Sequence, residues 1–229
     1  MALDDRSDGL ITLTAPRSPV SEAYRTLRTN LEFSSLDKPI KTMVVTSPGS
    51  EEGKSTTLAN LAVTIAQADK KVILVDCDLR RPAQHAMFGL PNDVGLTTMV
   101  VDAKAMGEPP LLDTGVPGLL LLPSGPLPPN PSELLGSRRM QEIIAGLSER
   151  ADIVLFDAPP IVAVTDAAVL ASRVDAVLLV VKAGATKRDH AQKARALLEK
   201  VNAHLVGAVL NNVKMDTSYY HYYSEQEGS

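Results

Sequence analysis

The stretch TMVVTSPGSEEGKSTTLANLA, residues 42–62, constrains the fold more than any other part of the chain. It begins with apolar or β-branched residues and reads as a buried strand over 40–46, which Pro48 and Gly49 end. Lys54 then opens a helix whose apolar side carries Leu58, Leu61, Ala62 and Ile65. A G-K-[ST] sequence between a strand and a helix is the context of a phosphate-binding loop. The backbone amides of Gly49, Ser50, Glu51, Glu52, Gly53, Lys54 and Ser55 can point into such a loop, where the helix N-terminus adds partial positive charge. Lys54 is placed to reach the β- and γ-phosphates of a nucleotide, Ser55 to ligate Mg2+ and Thr56 to touch the α-phosphate. Pro48 stands where the pattern G-x-x-x-x-G-K-[ST] has its first glycine. A glycine-containing turn ending in a capped helix is the plainer alternative.

Two further apolar strands end in acids. VILVDCD places Asp76 and Asp78 two residues apart, on the same side of an extended chain. IVLFDAPP places Asp157 at the end of another strand. Ligands of open α/β sheets sit beyond the carboxyl ends of the strands, so all three carboxylates are expected to converge on the phosphate loop. The bland alternative is that each caps the turn that follows it.

Strands of this near-continuous apolar kind, alternating with helices, predict an α/β fold with a mostly parallel sheet covered by helices on both faces. Further helices are expected near 96–101 and over 137–150, 166–172 and 187–202, with strands at 118–125, 176–181 and 205–210. A Pro-rich loop is expected from 124 to 136. The reading is one domain over residues 18–213, a loose arm over 1–17 and a flexible tail over 214–229.

Composition excludes several classes. A net charge of −4 argues against nucleic acid as a bulk partner, which needs clustered cations. The single Cys77 allows no internal disulfide and no all-cysteine metal site, and it fits a reducing compartment. His85, His190, His204 and His221 show no metal-ligand spacing. No apolar run approaches the roughly 18 residues that span a bilayer, and MALDDRSDGL lacks the order of a secretory signal, so a soluble, cytoplasmic chain is expected.

The segment SPVSEAYRTLRTNLEF reads as an amphipathic helix capped by Ser18, with Val20, Ala23, Tyr24, Leu27 and Leu31 on one face. Glu22, Arg25, Arg28 and Glu32 fall opposite, and a solvated stripe is their plain reading. Asp166 reads as a helix N-cap, and Arg80 and Arg81 as contacts to phosphate or to a partner's tail, or as solvated loop charges. The C-terminal SYYHYYSEQEGS holds four of the five tyrosines, Tyr219, Tyr220, Tyr222 and Tyr223. It is too polar to bury their rings, so its flexibility would serve to deliver a hydroxyl to a γ-phosphate.

On these motifs the chain resembles the bacterial protein-tyrosine kinases of the P-loop type (BY-kinases), cytoplasmic kinases of capsular and exopolysaccharide export within the MinD/ParA-like superfamily. SPGSEEGKST is similar to their Walker A motif, VILVDCDLRRP to their second Walker-like motif and IVLFDAPP to their Walker B motif. PSGPLPPNPSELL is similar to a family hallmark, Glu22, Arg25 and Arg28 match E-x-x-R-x-x-R, and the tail matches the tyrosine cluster. The resemblance covers nearly the whole chain from Ser18 and implies ATP/ADP and Mg2+ as cofactors. Lys54, Asp76, Asp78 and Asp157 are then the catalytic residues. Ser55 and the three aspartates serve the metal, Asp76 takes the proton of the incoming tyrosine, and Asn211 contacts adenine. Autophosphorylation of the tail in trans is implied, within a homo-oligomeric ring built through Glu22, Arg25 and Arg28, an octamer being one candidate size. A membrane-embedded activator at the inner face of the cell membrane and a cognate tyrosine phosphatase are implied partners. The alternative is a ParA/MinD-type ATPase that switches assembly by hydrolysis. Those relatives begin K-G-G-x-G-K, and Gly49 stands at the position of that first lysine.

Overall fold

The computed structural model describes residues 9–34, 39–102 and 107–214. In chain order the elements are α1 (Ile11–Thr14), α2 (Pro19–Phe33), β1 (Thr42–Thr46), α3 (Lys54–Ala66), β2 (Val72–Asp76), α4 (Gln84–Met87), α5 (Leu96–Val101) and β3 (Leu112–Asp113). There follow β4 (Leu119–Leu122), α6 (Pro131–Gly136), α7 (Arg138–Ser148), β5 (Ile153–Asp157), α8 (Asp166–Ala171), β6 (Ala176–Lys182), α9 (Arg188–Lys200) and β7 (Leu205–Asn211). The strands form a seven-stranded sheet in the order β3-β4-β2-β5-β1-β6-β7. Neighbours run parallel except β3 and β4, which are antiparallel.

The apolar runs of the strands are explained by cover on both faces. Met43 and Val45 of β1 point into one core with Leu58, Leu61 and Ile65 of α3, against which Leu27 and Leu31 of α2 pack. Val44 points into the opposite core with Met140 and Ile143 of α7, Leu170 of α8 and Leu198 of α9. Ile73 and Val75 of β2 and Val154 and Phe156 of β5 share that second core. Each such side chain, fully buried, stabilises the fold by about 1.5–3 kcal/mol. The alternation also fixes where the strand-end acids go. Asp76 follows Val75 and Asp157 follows Phe156, so both turn to the face that carries α3.

Several expectations need correction. Residues 9–17 are no loose arm: Leu10 and Thr12 are buried, and Asn60 of α3 holds the segment. Asn60 Oδ1 accepts from the Thr12 backbone and hydroxyl at 3.0 and 2.9 Å, while its Nδ2 donates to the Gly9 carbonyl at 2.7 Å. A four-residue helix is too short to show a period, which is why the sequence concealed it. The Pro-rich segment, expected as a loop, ends in α6, with Pro131 in its first turn. The helix 19–33 forms as expected, with the Ser18 hydroxyl accepting from the Ser21 amide. Its outer stripe is only partly outer: Arg25 pairs with Glu22, but Arg28 Nη1 donates to the Thr64 carbonyl of α3 at 2.8 Å. Asp166 is not the cap of α8. Thr165 holds that position, and the Asp166 carboxylate turns inward.

Candidate nucleotide site

The phosphate loop lies between β1 and α3, at the carboxyl edge of the sheet. Two backbone positions in it are left-handed, Glu51 at φ 59° and Gly53 at φ 87°. Gly53 meets a second constraint, because a Cβ there would lie 2.1 Å from Asn211 Nδ2. Asn211, the last residue of β7, donates that nitrogen to the Glu52 carbonyl at 3.0 Å. Lys182 of β6 donates to the Glu51 carbonyl at 3.3 Å. Beside the loop is a cavity of about 240 Å3 lined by Ser50, Gly53, Lys54, Ser55, Thr56, Asp78 and Arg81, among others.

Lys54 reaches from the head of α3 to Asp78 at 2.8 Å and Asp157 at 3.2 Å, and also to the Ser55 hydroxyl at 3.1 Å. Burial disfavours its charge, but the carboxylates of Asp157 and Asp78 outweigh that and raise its pKa. Asp76 lies behind this pair, fully buried. Its Oδ2 accepts from the Ala83 and Gln84 amides, both at 2.9 Å, and its Oδ1 from the Asp78 amide at 3.2 Å. Burial and the neighbouring charge of Asp157 push its carboxyl up to about 8, against the lowering effect of the Gln84 and Ala83 amides and of Lys54.

The turn after β2 is tied down on its far side. Arg80 grips the buried carboxylate of Asp166 with Nε at 2.9 Å and Nη2 at 3.2 Å, and the Ser132 hydroxyl of α6 adds a bond of 2.5 Å. Burial acts against the charge of Asp166, but the bonds from Arg80 and Ser132 prevail and lower its pKa. The bidentate fork joins the turn after β2 to α8, Ser132 ties in α6, and Arg81 lies in the cavity wall.

The structure thus brings together Lys54, Ser55, Asp76, Asp78 and Asp157, and the loop residues Gly49 to Thr56, with Asn211 bonded to the loop from outside. Glu52 turns inward and is buried, with Oε2 unpartnered. Glu22, Arg25 and Arg28 lie apart on α2. Tyr219, Tyr220, Tyr222 and Tyr223 fall outside the described residues. Sequence reasoning missed Gln84, whose carboxamide donates to Asp157 Oδ2 at 2.8 Å, and Lys182; neither sits in a motif that marks it. Among the described residues no group of three or more His, Cys, Asp or Glu side chains is arranged to hold a metal unaided. The donors present are a hydroxyl and carboxylates, hard oxygens that suit Mg2+ when phosphate and water complete its shell.

A family model described as the CobQ/CobB/MinD/ParA nucleotide binding domain matches residues 43–227. The tyrosine-protein kinase YwqD of Bacillus subtilis is 44% identical over 219 residues, 95% of this chain and 92% of its own length. Tyrosine-protein kinase wzc of Salmonella typhi is 34% identical over 222 residues, 93% of this chain but 30% of its own length. Among solved structures, the chimerical protein CapA2B2 superposes with a TM-score of 0.86 at 38% identity, covering 90% of this chain and 91% of that one. The kinase domain of Escherichia coli tyrosine kinase ETK gives 0.84 at 32% identity, covering 91% and 82%. The chain belongs to the MinD/ParA-type nucleotide-binding domains and, within them, to the bacterial protein-tyrosine kinases.

Proposed function

We propose that this chain is an ATP-dependent protein-tyrosine kinase that phosphorylates its own tail tyrosines in trans and regulates capsular or exopolysaccharide synthesis and export. The observation that carries the reading is the placement of Lys54. Its ammonium sits at the head of α3, beside the loop cavity, and is held by two carboxylates from neighbouring strand ends. Phosphoryl transfer is mostly positioning and charge neutralisation, and this arrangement supports both. The tyrosine cluster and the kinship with named tyrosine kinases favour a phenol over water as the acceptor.

Mg2+, when bound, supplies charge neutralisation at the phosphate oxygens, and Ser55, Asp76, Asp78 and Asp157 are the residues proposed to hold it or its waters. Lys54 is proposed to leave its carboxylates for the phosphates. Asp76 is proposed as the proton acceptor: burial and the Asp157 charge raise its affinity for a proton, and Mg2+ bound beside it would favour the ionised form that accepts one. Its Oδ2 keeps the Ala83 and Gln84 amides, so this role falls to Oδ1, which has to leave the Asp78 amide at 3.2 Å when Lys54 departs. Asn211, fixed against the loop, is proposed to meet the adenine.

Glu22 and Arg25 are proposed to face a neighbouring subunit in a ring, with Arg28 bracing their helix. A membrane-embedded activator is proposed to hold the kinase at the inner face of the membrane, and a tyrosine phosphatase to reset it. Among the described residues no helix is long and apolar enough to cross a membrane.

Incubation with Mg-ATP followed by intact-mass and peptide analysis tests the reading. Phosphate is expected on residues 219–223 and absent from Lys54→Met. A Lys54→Met chain mixed with active chain should become labelled if transfer is in trans. Phosphate release from an unmodified chain would instead favour the ParA/MinD-type hydrolysis cycle.

A further inference from the structure

Gln84 is fully buried at the head of α4 and serves three groups of the site at once. Its carboxamide nitrogen donates to Asp157 Oδ2 at 2.8 Å and to the Ser55 carbonyl at 3.2 Å, and its backbone amide donates to Asp76 Oδ2 at 2.9 Å. The orientation of the carboxamide follows from chemistry, because an ionised carboxylate only accepts. Its Oε1 is left buried without a partner. A buried unpaired oxygen is costly, and a methionine of similar shape would avoid it, so packing is a poor reason for a glutamine here.

Asp76 and Asp157 are direct partners in the β2–β5 register, two carboxylates that repel one another. Lys54 and Gln84 divide Asp157 between them, the ammonium on Oδ1 at 3.2 Å and the carboxamide on Oδ2. Once Lys54 turns to a phosphate, Gln84 is the donor that stays on Asp157, and its other bond stays on Asp76.

We propose that Gln84 is a positioning residue for phosphoryl transfer: it holds Asp157 and Asp76 aimed at the metal–phosphate region while Lys54 is engaged elsewhere. This rests on the nucleotide reading of the site. Gln84 does not line the loop cavity and acts through the two aspartates.

The test is calorimetric titration of the full chain with ADP, once with Mg2+ and once with chelator, together with kcat and KM for phosphate incorporation from Mg-ATP and the melting temperature. Gln84→Met conserves volume and apolar contact. It is expected to bind ADP in chelator within about twofold of wild type. The tightening that Mg2+ brings should fall by about tenfold or more, as partners of metal-holding groups commonly do. The drop in kcat should be similar and exceed the change in KM for ATP. Gln84→Glu replaces the donor with another carboxylate and is expected to fall below Gln84→Met in both respects. A Gln84→Met chain that keeps the wild-type Mg2+ gain and kcat, with only its melting temperature changed, overturns the proposal, as does a Gln84→Glu chain that outperforms it. Should Gln84→Glu not fold, the methionine variant decides alone. A wild-type chain that takes up no ADP overturns the nucleotide reading itself, an outcome distinct from a failure confined to Gln84.

Discussion

Asp76 and Asp157 stand side by side in the register of β2 and β5, both fully buried, and burial first, the Asp157 charge second, push the Asp76 carboxyl from 3.8 to about 8. Between those values the folded, nucleotide-free chain holds a proton that the unfolded chain has lost. Stability therefore falls as pH rises from about 4 to about 8 and levels off above. We expect the urea midpoint of the nucleotide-free protein to drop between about pH 5 and pH 8, and Asp76→Asn to flatten that slope. A wild-type midpoint that climbs over the same interval would contradict the assignment.

Lys54→Met removes more than a catalytic ammonium. It leaves Asp78 and Asp157 buried without their shared cation, a change that costs about 3 kcal/mol or more in comparable settings. The variant should bind no ATP and also unfold at lower urea at neutral pH. Equal stability of variant and wild type at neutral pH would mean that the buried triad contributes little.

Gly53→Ala faces a left-handed backbone, worth about 1–2 kcal/mol against an L-residue, and the nitrogen of Asn211 in the space of the new methyl. Nucleotide affinity should be lost while the sheet persists. Asn211→Ala alone should weaken ADP binding by freeing the Glu52 carbonyl. The two changes share one contact, so the double variant should lose less than the sum of the singles. Strict additivity in titration would show the contact to be incidental.

Arg25 and Arg28 should separate in experiment. Arg28 reaches the Thr64 carbonyl in the last turn of α3, where carbonyls lack helical partners and a cation is favoured. Arg28→Ala is expected to destabilise the monomer by about 1–2 kcal/mol in urea unfolding. Arg25→Ala and Glu22→Ala should stay within about 0.5 kcal/mol, as exposed pairs do, while reducing assembly measured by light scattering with Mg-ADP. Unfolding midpoints in the reverse order would remove Arg28 from its bracing role.

Much of this architecture was legible because it is periodic. Val44, Val154 and Ile73 alternate with Met43, Leu155 and Leu74 in unbroken apolar runs, and only a sheet covered twice explains such runs. The position of Lys54 behind a glycine and before a helix was legible for the same local reason. What escaped was stitched together at long range. Asn60 holding Gly9 and Thr12, Arg80 holding Asp166, and Gln84 holding Asp157 each join residues 48 to 86 positions apart. One polar residue in one sequence does not announce such a partner. The short elements were hidden as well, since neither the four residues of α1 nor the two of β3 complete a recognisable pattern.

The bond from Asn211 to the Glu52 carbonyl has a consequence for biosynthesis. The loop leaves the ribosome 159 residues ahead of the side chain that braces it, which comes from β7. A nascent chain can thus gather most of its sheet on the ribosome while the phosphate loop still lacks this brace from outside. Full grip on a nucleotide is then expected only after β7 has docked beside β6, behind the scaffold that must contain it.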